Sequence, residues 1–309
     1  MTPNARAQLQ IHVCVVLWGF TGIFGKLITL PFLPLVWWRM MLVAGLLALT
    51  PRVWRGWRAM TPRLAFAYAA IGLVVAVHWL TFYASIKLSN ASVAATCMAL
   101  APVFQAGLEP LVAGGRFDPR ELLLGAAVVP GVVLVTGGVS PDYRIGVAIG
   151  ALSAALAAVF SAFNKRLVLR GDPLAITGLE MGAGVLLLTI ALPVVAPDGW
   201  LTWTAAGPGW RAASIFVIPS AHDFALLAVL AVGCTLIPFT LALVAMRHLS
   251  AFAATLAVNL EPVYTILLAI VLLDEHRELS AAFYAGVAII LGAVLIYPRL
   301  TRGPAAAGA

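Results

Sequence analysis

The chain has 309 residues, 62% of them hydrophobic and only 10% charged, and its mean hydropathy is +1.03. A soluble domain carries about 25% charged residues, so this composition excludes a water-facing globular protein and calls for a surface covered by lipid. The net charge of +7 does not signal nucleic acid, because the Lys and Arg residues gather at the ends of apolar runs, as membrane topology requires.

Arg6 precedes the first apolar run. No A-x-A-like site closes that run, which continues through Trp18-Gly19 to Lys26, so a cleaved signal peptide is not expected. A bilayer core of roughly 30 Å takes about 20 apolar residues as helix. That ruler predicts ten transmembrane helices, near 11–29, 34–50, 64–87, 91–113, 121–138, 145–168, 174–196, 222–246, 251–272 and 279–297. Pro31 to Pro34 alone separate the first two. Between the second and third, residues 51–60 set arginines every third position beside Trp54 and Trp57. This segment reads as an interfacial anchor, with binding of anionic lipid as the functional alternative. No soluble domain interrupts the series, and 299–309 is expected to be a disordered cytoplasmic tail.

With the N-terminus in the cytoplasm, alternating loops place 13 basic residues on the cytoplasmic side and six on the other. Both termini are therefore expected in the cytoplasm of an inner-membrane, multi-pass protein. Cys14, Cys97 and Cys234 all lie inside apolar segments and form no disulfide framework or CxxC pair, so they read as small packing residues. No metal or cofactor is expected.

The two halves of the chain match at fixed offsets. Phe24 and Lys26 match Phe163 and Lys165 at 139, as Pro34-Leu35 match Pro173-Leu174. Lys87 through Phe104 aligns with Arg247 through Tyr264 at 160, and Gly125 and Gly131 match Gly286 and Gly292 at 161. The expected repeats are 11–138 and 145–298, five helices each. An odd number inverts the second copy in the membrane, the arrangement typical of secondary transporters with a midplane site at the repeat interface. Duplication also builds channels and scaffolds.

The stretch Leu260-Glu261-Pro262-Val263-Tyr264, then Leu272-Leu273-Asp274-Glu275, then Gly286 and Gly292 through Ile296, resembles the C-terminal signature of EamA-type transporters of the drug/metabolite transporter superfamily. Trp18-Gly19 and Ala101-Pro102 fit the same pattern, over roughly residues 11–298. The resemblance implies ten helices in two inverted five-helix repeats. It also implies movement, often export, of small metabolites such as amino acids or related compounds. In such proteins the cavity is lined mainly by the first, third, fourth, sixth, eighth and ninth helices. One departure is visible: the first repeat has Ala101 where the second has Glu261.

An ionisable group at mid-bilayer costs roughly 2.5–3.5 kcal/mol, so each should face protein or water. Glu261 lies near the midplane of the ninth span, beside Pro262, which removes a backbone hydrogen bond. It reads as a protonatable group or counter-ion for a cationic substrate, or else as a buried acid satisfied by its neighbours. His78 is the second candidate for coupling, or a satisfied core histidine. Glu180 is expected about six residues in from the cytoplasmic end of a peripheral helix, and Glu109 to reach water. Lys26 and Arg39 are expected to snorkel from the outer ends of their helices. Pro102 and Pro262 are expected to kink the fourth and ninth helices beside one cavity. Gln105 and Tyr264 stand one turn from them, and with Trp18, Tyr83, Phe160 and Asn259 they are candidate cavity residues. Stripes of small residues, Gly146 to Ser161 and Ala281 to Gly292, read as sites of close helix packing.

Motifs HExxH, GxSxG, P-loop and GxGxxG are absent, and the five histidines are scattered. Transport would therefore run on an ion or substrate gradient, a proton or another ion being the partner, not on ATP. A lipid flippase or scramblase, and a membrane-embedded enzyme, are the rival readings. A homodimer is compatible with all of them.

Overall fold

The computed structural model describes residues 2–114, 117, 119–195, 217–249, 254, 257–258, 260–277 and 279–301. Among the described residues the regular structure is helical. In chain order the helices are α1 (Pro3–Leu27), α2 (Phe32–Ala48), α3 (Pro51–Ala59), α4 (Pro62–Leu88), α5 (Ala91–Met98), α6 (Ala101–Ala113) and α7 (Pro119–Gly137). They continue with α8 (Arg144–Leu167), α9 (Pro173–Val195), α10 (Ala221–Ala231), α11 (Ile237–Ala245), α12 (Glu261–Leu273) and α13 (Ala281–Thr301). A π-helical turn, Val232–Leu236, joins α10 to α11. Six helical segments are long and apolar enough to cross a membrane, or seven when α2 and α3 count as one bent span. Ala126–Val135, Glu261–Leu273 and Ala281–Ile290 are shorter apolar helices.

Local chemistry sets many of the helix starts. Proline opens α1, α3 and α4 at a position where a missing N–H costs nothing. Asn90 Oδ1 accepts from Val93 N at 2.9 Å and Thr61 Oγ1 from Leu64 N at 3.3 Å, which satisfies amides that have no partner inside the helix. Two buried acids serve helix ends and loops in the same way. Glu275 accepts from Ala91 N, Ser92 N and Ser92 Oγ at the start of α5, and Asp223 from Thr29 N and Oγ1.

Small residues then bring the helices close. Gly146 and Gly150 of α8 face Ser89 and Ser85 of α4, while Gly131 of α7 lies against Gly286 of α13. Gly72 packs on the backbone of Glu180, so α4 and α9 touch there with no side chain between them. Large apolar residues such as Phe66, Leu111 and Val271 are more than three-quarters exposed, covering the outside of the bundle rather than its core.

The arginine- and tryptophan-rich segment forms α3, bent 88° from α2. It does more than face an interface. Arg52 pairs with Asp172 at 2.6 Å, and Trp57 Nε1 donates to Ala175 O at 2.8 Å, docking α3 on the start of α9. The expected tail is corrected at its beginning, because α13 runs through Thr301. Arg299 and Leu300 are good helix formers and extend the last turn; 302–309 lie outside the described residues.

Candidate functional site

A cavity of about 130 Å³ lies between helices of both halves of the chain. One water needs roughly 10–15 Å³ of such space, so it has room for a solute of about ten heavy atoms. Its walls are apolar and aromatic: Trp18 of α1, Trp79 and Phe82 of α4, Phe160 of α8 and Phe239 of α11. Into these walls are set Arg39, His78, Asn164 and Glu261.

Arg39 requires a correction to the sequence reading. It is 2% exposed, not snorkelling. It is the eighth residue of α2, some 10 Å into the helix at 1.5 Å per residue, too deep to reach water. Neutral neighbours replace the water. Its Nε donates to Thr235 Oγ1 at 2.6 Å, Nη1 to the Tyr83 hydroxyl at 2.9 Å and Nη2 to Cys234 O at 3.2 Å. The Trp79 ring centroid lies 3.8 Å from the guanidinium carbon, within cation–π range.

The proline at position 238 explains why a carbonyl is available there. In a regular helix Cys234 O would accept from the amide of residue 238, and Pro238 has none. The backbone winds into the π-helical turn, Thr235 Oγ1 bonds Leu230 O at 2.8 Å, and Arg39 takes Cys234 O. Sequence reasoning missed this group. The signal was present: an arginine inside an apolar run with no acid beside it is a functional-site candidate by default.

Glu261 is 7% exposed and is the first residue of α12. Pro262 is the second residue of α12 and Pro102 holds the same place in α6, each just after a turn; α5 and α6 run on as one span, Ala91–Ala113, so Pro102 lies within a continuing helical span. The Glu261 carboxyl also sits where a helix N-terminus favours negative charge. Asp223 and Glu275 are occupied by backbone amides; Glu261 has no such bond among the described residues. Ala101, the residue matching Glu261, lines the same cavity.

His78 Nδ1 lies 2.9 Å from both the backbone carbonyl and the hydroxyl of Ser153. The ring lines the cavity against Phe160, with centroids 5.3 Å apart. Trp18 and Phe160 also line it, and Tyr83 stands behind Arg39. Gln105 and Tyr264 do not line it. Gln105 is fully buried elsewhere with both amide atoms unpartnered. Tyr264 is 39% exposed, because its Cβ is committed to the contact of α12 with Gly19 of α1. Asn259 lies outside the described residues. Glu180 is fully buried, with its carboxyl beside the Asn164 amide.

At one end of the cavity Lys165 Nζ donates to Met246 O at 2.7 Å and Leu249 O at 2.5 Å, tying the end of α8 to the chain after α11. Met246 also lines the cavity.

A model of the EamA-like transporter family matches residues 6–137 and again 144–297. Twenty-five solved chains match. One of them, a protein crystal structure, aligns over 96% of this chain and 99% of its own, with a TM-score of 0.67 and 18% identity, a likeness of fold alone. No curated protein matches in sequence.

Proposed function

This chain belongs to the EamA-like transporter family, and we propose that it is a secondary active transporter, an exporter of small metabolites such as amino acids or related compounds, working by alternating access. Membership and the apolar helices make it a multi-pass membrane protein. The finer architecture proposed is ten spans in two inverted repeats, 11–138 and 145–298, with both termini in the cytoplasm and the protein in the inner membrane. Seven longer spans and three shorter apolar helices are compatible with ten, and a family model that matches the chain twice supports the duplication.

The observation that carries the reading is the cavity itself. Helices from both halves enclose it, its walls are apolar, and Arg39 and Glu261 enter it without pairing with each other. A pocket with few placed polar groups suits a small organic solute, and two inverted halves exchanging shapes would open it to each side in turn. Glu261 serves in this reading as the protonatable group or the counter-ion of a cationic moiety.

Two experiments test it. Proteoliposomes loaded with radiolabelled amino acids should show gradient-dependent flux; movement of lipid with no movement of soluble solutes would favour a flippase. Cysteines introduced at 56 and 207 should label from the cytoplasmic and the outer side respectively, and the reverse pattern would refute the orientation.

A further inference from the structure

Among the described residues Arg39 makes no hydrogen bond to an acid, and Glu261 is the acid that shares the cavity with it. The three hydrogen-bond partners of Arg39 are a hydroxyl, a phenol and a carbonyl, and a ring covers its carbon. None carries a charge. A buried guanidinium with no carboxylate bonded to it is costly, and a charged group inside the membrane marks a ligand or ion path.

A guanidinium has five N–H donors. Three are engaged: Nε on Thr235, and one each of Nη1 and Nη2. Each terminal nitrogen keeps one uncommitted N–H, and a guanidinium with free N–H groups is a strong partner for a carboxylate. Thr235, Tyr83 and Trp79 fix the group, so the fork is held before any ligand arrives.

We propose that Arg39 is the anion-binding residue of the cavity, and that the transported molecule carries a carboxylate on an apolar or aromatic body seated among Phe82, Phe160 and Phe239. This rests on the transporter reading. With Glu261 ionised the cavity's own two charges cancel, so a carboxylate adds one negative charge where a phosphate ester adds two. A solute that also has an ammonium group meets Glu261 and leaves the cavity neutral.

The test uses the whole purified protein and two matched sets of compounds. One is leucine, 4-methylpentanoate, leucinamide and 3-methylbutylamine; the other is phenylalanine, 3-phenylpropanoate, phenylalaninamide and phenethylamine. Binding is read by calorimetry and flux in proteoliposomes. The carboxylates should bind at least tenfold more tightly than the amides or amines. Arg39→Lys, which keeps the charge and loses the fork, should reduce that preference to below threefold, with the size-exclusion profile unchanged. Glu261→Gln should keep it. Amides or amines that bind and move as well as the acids overturn the role of Arg39 and leave the transporter reading standing. If none of the eight moves, the transport reading for solutes of this size falls, and the inference with it.

Discussion

The two halves of the chain hold their ends together alike and differ where the cavity lies. Lys87 donates to Ile28 O at 2.6 Å, tying the end of α4 to the chain after α1. Arg247, the matching residue, donates to Gly171 O at 2.7 Å, tying the chain after α11 to the chain after α8. These ties are scaffold, and both copies keep them. Lys165 is tied to Met246 O and Leu249 O, whereas Lys26, its match, is exposed without such a bond among the described residues. Glu261 lines the cavity where Ala101 does in the other half. A duplicated chain can keep the contacts that hold helices and still make its cavity chemically one-sided.

The sharpest test of that one-sidedness is Glu261→Gln. The amide keeps size and hydrogen bonding and removes the charge and the titration, so flux should fall more than tenfold or lose its response to a pH series. Wild-type flux and pH response in a protein with an unchanged size-exclusion profile would reduce Glu261 to packing, and His78 would be the next residue to test.

Gly72→Ala probes the scaffold instead. The added methyl would meet the backbone of Glu180, which cannot turn aside as a side chain can. Overpacking costs about 1–3 kcal/mol, so thermal unfolding in detergent should come earlier by several degrees. An unchanged melting curve would mean that α4 and α9 separate easily.

Lys165→Met removes the tie to Met246, a residue of the cavity wall, and to Leu249. A cysteine placed at position 161 in a cysteine-free background should then label several-fold faster from the cytoplasmic side. Lys26→Met should have the opposite effect, because the positions matching Met246 and Leu249 are Ile86 and Ser89, whose carbonyls Lys26 would take when the outer side closes. Equal labelling in both variants would separate the tie from gating.

The smallest effect is expected for Glu180→Gln. No residue of α9 lines the cavity, so flux should stay within about twofold of wild type, and stability should hold or rise as a fully buried acid gives way to an amide. A large loss of flux would bring Asn164 and Glu180 into the transport path.

The sequence by itself determined the class of protein and the course of its helices. Twenty-residue apolar runs need internally satisfied backbone wherever lipid surrounds them. It also marked Glu261, because an acid in such a run stands out from its neighbours. It misplaced Arg39, Tyr264 and Gln105, and the reason is geometric. Depth along a span can be counted from the sequence, but the direction a side chain faces depends on which helices pack against it. Tyr264 is one turn from Glu261 yet faces outward, turned by its contact with Gly19. Only the tertiary structure brought Pro238, the carbonyl it frees at Cys234 and the guanidinium of Arg39 together, from positions 195 residues apart in the chain, and that meeting holds a positive charge on neutral partners at the cavity wall.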